Sequence, residues 1–320
     1  MSEVYVHGLA YALGDQAISL ADTVQAGRTI SDLTTLREAG FHQHHVAADG
    51  TDAYMLGLRA AQALGEQPGI DLARTGAILY ATCLTCNGNR GSEAEFRTTR
   101  DVKHLMDYPA SHLQADLDLP DAAVIGLNQQ ACTSMLGSLR MARALLLAEP
   151  EMEGVLCVSA DRFPAGAIYE QAYNLISDGA AACWVGREPR GYRLVATHAL
   201  TNGALAQATD DETVGSYFGY THRLVTELLR KADMRADDLD WVVPQNTHVK
   251  TWEVLSRLLR IPLERVYFDS IGEVAHIISS DNVVNLLKLE NSGRIQSGQR
   301  LLLLMAGFGL NWQGTILEKR

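Results

Sequence analysis

Apolar residues along the chain fall into two alternating patterns. Short continuous runs read as buried strands, and stretches with apolar residues three and four apart read as helices. Strand-like runs occupy Val4 to Leu9, 76–82, Ala122 to Leu127, Gly154 to Ala160, the segment following Asp178, Arg193 to Thr197, Leu239 to Val243, Val266 to Phe268, Leu301 to Met305 and Asn311 to Leu317. Helical spacing covers residues 14–38 with a break at Gly27, 51–64 ending at Gly65, Pro109 to Leu117, 217–232, a stretch reaching about residue 260, and 279–291. Strands alternating with helices predict an α/β protein with a mostly parallel sheet and helices on both faces. The scheme is repeated after a break near residue 190, which predicts two similar halves, 1–190 and 191–320. In such sheets ligands bind beyond the carboxyl ends of strands. Cys132, His248 and Gly307 all fall at such ends.

The most informative stretch is Asn128-Gln129-Gln130-Ala131-Cys132-Thr133-Ser134-Met135-Leu136-Gly137. It lies between the apolar run ending at Leu127 and a helical pattern carried by Met135, Leu136, Leu139, Ala142, Leu145 and Leu146. Cys132 therefore sits at a strand-to-helix turn. The free N–H groups and positive dipole end of the helix lower the pKa of a thiol placed there, which makes it a nucleophile candidate. The same position equally fits a buried cysteine packing as a small hydrophobe.

Composition narrows the class. The chain has 320 residues, 47% hydrophobic and 20% charged, ordinary for a soluble globular enzyme. Its formal charge of −11 argues against non-specific nucleic-acid binding. Met1 to Val6 leads directly into a strand rather than a signal peptide, and no apolar run is long enough to span a membrane. Five cysteines, an odd number, point to a reducing cytoplasm rather than a disulfide framework. Cys83-Leu84-Thr85-Cys86 has redox spacing but no second pair to complete a zinc site, and reads as structural. Cys157 and Cys183 lie in strand-like runs and read as core. His42, His44 and His45 do not share one face of an extended segment, so they read as surface or dimer rim, and no metal site is expected. The polar stretch 86–108 reads as a binding loop, with Arg90, Arg97 and Arg100 on a solvated face.

Several segments in order resemble the β-ketoacyl-acyl-carrier-protein synthase III branch of the thiolase superfamily. Gly40 to Ala47 resembles its glycine-initiated segment, with His where the family usually has Arg. Asn128 to Leu136 resembles its nucleophile turn, and Ser177 to Ala182 its small-residue turn. Trp241 to His248 resembles its Trp-x-Val-Pro-His-Gln-Ala-Asn segment, and Ala306 to Trp312 its glycine-rich C-terminal motif. The resemblance implies a thiolase fold, two similar βαβαβαββ halves in a five-layered αβαβα sandwich. It also implies an acyl-accepting Cys132, an oxyanion hole from the backbone of Cys132 and of Gly307 or Gly309, and a homodimer paired across the strand before the nucleophile. No bound cofactor is implied. The donor is a phosphopantetheine thioester, on CoA or on an acyl carrier protein.

Two departures shift the expected chemistry. Gln245 stands where the family's condensing enzymes have His, and His276 stands near the expected Asn, followed by Asp281 and Asn285. The His–Asp pattern resembles a subset in secondary metabolism that transfers acyl groups to oxygen or nitrogen. Catalytic candidates are thus Cys132, His276, Asp281 and His248, with Gln245, Asn246 and Asn285 as pocket candidates. In this reading His276 is the base, Asp281 holds its tautomer, and loss of His276 slows transfer far more than loading. His248 competes for the same role, and His276 equally fits a helix cap. The expected function is acyl transfer through acyl-Cys132 to a small hydroxyl or amine. The alternatives are decarboxylative condensation and a partner subunit of a heterodimeric synthase.

Overall fold

The computed structural model describes residues 3–84 and 93–320. In chain order the strands are β1 (Tyr5–Leu13), β2 (Gln16–Ser19), β3 (Gln43–Val46), β4 (Thr75–Ala81), β5 (Ala123–Leu127), β6 (Gly154–Asp161), β7 (Glu170–Gln171), β8 (Asn174–Leu175), β9 (Gly179–Gly186), β10 (Tyr192–Thr201), β11 (Trp241–Val243), β12 (Arg300–Gly307) and β13 (Asn311–Lys319). The helices are α1 (Leu20–Gln25), α2 (Leu33–Glu38), α3 (Ala53–Gly65), α4 (Glu93–Thr99), α5 (Pro109–Asp116), α6 (Ser134–Ala148), α7 (Asp210–Lys231), α8 (Val249–Leu259), α9 (Ile271–Val274) and α10 (Asp281–Asn291).

Nine strands form one sheet in the order β11-β12-β13-β10-β1-β9-β6-β4-β5. Outward from β1 the chain places its next strands as β9, β6, β4, β5, and outward from β10 as β13, β12, β11. Beyond β11, Val266 makes a lone parallel bridge to Val242 at the place that β5 occupies on the other side. The expected strand over Val266 to Phe268 is therefore reduced to that bridge. The sheet is also not mostly parallel. Among the described strand pairs of the sheet, only β4–β5, β4–β6 and β11–β12 run parallel. The pairs around β1, β9, β10 and β13 are antiparallel, because reversals such as the short turn between β12 and β13 return the chain beside itself. Hydrophobic runs alone do not separate these two arrangements.

The two parts of the sheet are stacked in five layers. Helix α3 covers the outer face of β1, β6 and β9, with Leu56, Ala60 and Leu64 against Ile78, Val158 and Trp184. Helices α6 and α10 fill the middle, where Met135, Leu139, Leu286 and Leu289 join Leu79, Val155, Leu303 and Leu317 in the central core. On the far face α7 and α8 bury Leu224, Leu228, Trp252 and Leu255 against Val242, Leu302 and Trp312. Helix α7 is set at its start by a capping box, Thr209 with Glu212, which satisfies backbone donors of the first turn.

Three local expectations change. Residues 16–19 form strand β2, paired with β3, rather than part of a helix. The run before the nucleophile, β5, is an edge strand with mostly exposed side chains, not a buried one. His44 is buried rather than rim-exposed, its ring nitrogens 2.8 Å from Thr23 Oγ1 and 2.7 Å from the Ile176 carbonyl oxygen. Cys157 and Cys183 are core. Cys86 and Arg90 lie outside the described residues. Arg97 and Arg100 are exposed on or just after α4. No described helix is long and apolar enough to cross a membrane.

Candidate active site

Three chain segments meet where the central helices begin. The first is the turn Ala131–Thr133, a single helical turn leading from β5 into α6. Ala131 has a positive φ of 44°, which costs free energy for a residue with a Cβ and persists only where surroundings impose it. Gln313 on β13 braces the residues on either side, its amide nitrogen 2.8 Å from Gln130 Oε1 and 3.1 Å from Thr133 Oγ1. Cys132, 8% exposed, projects from this turn into a cavity of about 680 Å³.

The second segment carries His276. Its N–H donates to the Leu175 carbonyl and its own carbonyl accepts from the Ser177 N–H. Ala275 and Ile278 on either side have positive φ values of 53° and 48°. The ring is thus held from its backbone outward. Its Nε2 lies 3.4 Å from Cys132 Sγ, and its Nδ1 lies 2.5 Å from Asp281 Oδ2. Asp281 is fully buried and also accepts the backbone N–H groups of Asn246 at 2.7 Å and Ile277 at 2.6 Å. A buried carboxyl group with that many donors is held in one orientation. Asp281 therefore takes the Nδ1 proton as a hydrogen bond and leaves Nε2 with its lone pair toward the sulfur.

The third segment is the end of β12. A Cβ at Gly307 would stand 2.7 Å from the backbone nitrogen of Cys132, so glycine is needed for β12 to approach the nucleophile turn. Gly307 lines the cavity with Cys132 and His276, whereas Gly309 lies in the following turn and is not among the lining residues.

The remaining candidates separate. Gln245 lines the cavity, its amide nitrogen 3.3 Å from His276 Nε2. Asn246 and Asn285 do not line it, correcting their expected place in the pocket. Asn246 donates to the Ala275 carbonyl, and Asn285 donates to the Pro244 carbonyl and to Asn246 Oδ1, so both brace the shell behind His276 and Asp281. His248 lines the cavity but caps α8, its Nδ1 accepting the Lys250 N–H at 3.1 Å. Burial, helped by Lys250, pulls its pKa below the usual histidine range. No bond joins it to Cys132 or Asp281 among the described residues.

One site residue escaped the sequence reading. Cys83 lines the cavity beside Cys132, and its N–H donates to Asp161 Oδ1 at 2.7 Å. The available signal was its position just past β4, the strand paired with the one before the nucleophile. Cys83 also reverses an expectation. Its thiol, then burial, push the Cys132 thiol well above the usual cysteine range, with Asp281 and Asp161 adding to the effect. The helix start does not deliver a standing thiolate, so the sulfur needs a base at the moment of attack.

Residues 128–203 match the family described as 3-Oxoacyl-[acyl-carrier-protein (ACP)] synthase III, and residues 229–319 match that family's C-terminal region, together more than half of the chain. The chain belongs to the synthase III family. Synthase III of Chlamydia caviae is 23% identical across 96% of this chain and 94% of its own, and that of Rhizorhabdus wittichii 25% across 98% of each. Among solved structures, the acyltransferase ChlB3 superposes with a TM-score of 0.84 at 22% identity, over 99% of this chain and 98% of its own. FabH of Pseudomonas aeruginosa gives 0.83 at 22% identity over the same shares. The fold is that of the thiolase superfamily, and the synthase III family to which this chain belongs is one of acyl-transferring and condensing enzymes.

Proposed function

We propose that this synthase III-type protein is an acyltransferase that passes an acyl group through Cys132 to a hydroxyl or amine. The observation that carries this reading is the chain of contacts from Cys132 Sγ through His276 to Asp281, at 3.4 and 2.5 Å. A nucleophile, a base and an orienting carboxylate in line serve proton removal from an attacking group. Decarboxylative condensation calls instead for two neutral donors aimed at a thioester oxygen. His276 fits that role poorly, because Asp281 occupies Nδ1–H and the amide of Gln245 faces Nε2.

In the first half-reaction His276 Nε2 removes the Cys132 proton as sulfur attacks the donor thioester. The carbonyl oxygen becomes an oxyanion, held by the backbone N–H groups of Cys132 and Gly307, and the phosphopantetheine sulfur leaves with the proton from His276. In the second, the acceptor's oxygen or nitrogen attacks acyl-Cys132, its proton passes to His276, and the cysteine sulfur leaves and is reprotonated. Preorganised oxyanion donors contribute roughly 3–4 kcal/mol each in related chemistry. With the Cys132 thiol pushed above the usual cysteine range, His276 serves both halves in this reading, whereas the sequence alone led to the expectation that its loss slows transfer far more than loading.

The donor is a CoA or carrier-protein thioester, and the chain acts as a homodimer, a reading supported by β5, an exposed edge strand with no outer partner among the described residues. The halves 1–190 and 191–320 fit the repeated strand order around β1 and β10. The test is intact-protein mass after incubation with a panel of acyl thioesters, followed by addition of an alcohol or amine. An adduct on Cys132 that is discharged as ester or amide supports the reading. Carbon dioxide release from a malonyl thioester with carbon–carbon product would replace it with condensation, and absence of any adduct would favour a partner-subunit role.

A further inference from the structure

The cavity over Cys132 is broad, nearly uncharged and aromatic. Phe163, Tyr173, Tyr217, Phe218, Phe308 and Trp312 line it, and its described lining contains no Asp, Glu, Lys or Arg. Of its two histidines, His248 is pulled by burial toward the neutral form, and His276 has its Nδ1 engaged by Asp281 at 2.5 Å. An ion entering such a space would lose hydration without a partner in return. The volume of about 680 Å³ falls within the range that holds a drug-sized ligand, more space than a single extended pantetheine arm fills.

The mouth repeats the pattern. Four large apolar lining residues stay open to solvent: Ile168 and Tyr173 at 42%, Val214 and Phe308 at 38%. An apolar rim continuous with an apolar cavity marks a surface that a ligand covers. That ligand must reach from His276 at the bottom to the rim. An acyl group fixed on Cys132 starts at the bottom, while an acceptor arriving after loading enters through the mouth. Flat rings suit walls made of aromatic faces and edges better than a flexible alkyl chain does, since a ring loses little conformational freedom on binding.

We infer that the acceptor is a bulky, uncharged, ring-bearing alcohol or amine that fills this cavity and carries its nucleophile to His276. The inference rests on the acyltransferase reading above. The acceptor oxygen forms the new bond to the acyl carbon, its proton goes to His276 Nε2, the carbon–sulfur bond breaks, and the Cys132 sulfur regains the proton.

The test compares 2-phenylethanol with 1-octanol, equal in carbon number, and with 3-(hydroxymethyl)benzoate, a ring alcohol bearing a carboxylate. Discharge of preformed acyl-Cys132 is followed by intact mass, and binding to the unloaded protein by calorimetry. The expected result is discharge at least tenfold faster, and binding at least tenfold tighter, for 2-phenylethanol than for either competitor. Equal or better performance by 1-octanol would overturn the ring preference, and equal performance by the benzoate would overturn the neutral site. If Cys132 never loads yet 2-phenylethanol still binds tenfold tighter, the site assignment stands and the acyltransferase reading fails.

Discussion

Gln245 turns its amide nitrogen toward His276 Nε2 at 3.3 Å, because its oxygen accepts the Ala306 N–H at 3.0 Å. The backbone of β12 thus fixes which end of the amide meets the histidine. A donor at Nε2 is compatible with a neutral ring and opposes an imidazolium, whose Nε2–H would face another N–H. Gln245 therefore presents an amide donor to the same nitrogen that faces the Cys132 sulfur.

Gln245→Glu reverses this. A carboxylate at the same place favours the protonated ring, so the acid limb of the transfer-rate profile should move to higher pH. The rate at neutral pH should fall on the order of tenfold, given that base strength and protonation state set such rates. Gln245→Leu should lower the rate without that displacement. A pH profile of single-turnover transfer checks both, and an unmoved acid limb in Gln245→Glu would contradict the role.

Much of this site was legible in the sequence, for identifiable reasons. Cys132 and Gly307 could be placed because each follows an apolar strand, and strand ends in such sheets gather at one place. His276 and Asp281 were paired by their spacing of five residues and by resemblance. What the sequence could not supply was the side on which a residue faces. Asn246 follows Gln245 directly yet points behind the histidine, to Ala275. Cys83 is 49 positions from Cys132 and becomes its neighbour only because β4 and β5 pair. The apolar β5 looked buried because hydrophobicity does not record whether a sheet continues past that strand.

Cys83 leads to a prediction about the nucleophile's acidity. Alkylation of Cys132 by iodoacetamide should have its midpoint above the value of about 8.5 typical of a free cysteine. Because the Cys83 thiol is the largest cause of the upward displacement, Cys83→Ala should bring the midpoint down. Mass-resolved alkylation across pH measures it, and an identical midpoint in the variant would remove Cys83 from the account.

The exposed edge predicts assembly. Among the described residues strand β5 has no partner on its outer side, and Val102, Leu105, Met106, Tyr108 and Val124 are exposed large apolar residues before or on it. Unpaired edges and apolar patches are usually covered. Sedimentation should report a homodimer at micromolar concentration, and Val124→Lys should shift it toward monomer. A wild-type monomer under those conditions would contradict the assignment.

His44 sets an acid limit on stability. Burial brings its pKa down from 6.5 to about 4. Between those values the unfolded chain binds a proton that the folded chain excludes, so stability is full above pH 6.5 and falls as pH drops toward 4. The displacement corresponds to at most on the order of 3 kcal/mol. His44→Asn should be less stable at pH 7.5 but lose less between pH 6.5 and 4.5. Urea unfolding at several pH values checks this, and parallel losses in both proteins would argue against it.

The central claim is that His276, oriented by Asp281, is the base for Cys132 chemistry. The direct measurement is single-turnover loading and transfer, followed by intact mass, in the wild-type protein and in His276→Ala, Asp281→Asn and His248→Ala. The account predicts that His276→Ala slows both steps by on the order of a hundredfold or more, the scale of general-base catalysis. Asp281→Asn should fall between it and wild type, and His248→Ala should leave both steps within a few-fold of wild type. Stalled transfer in His248→Ala together with wild-type transfer in His276→Ala would contradict it.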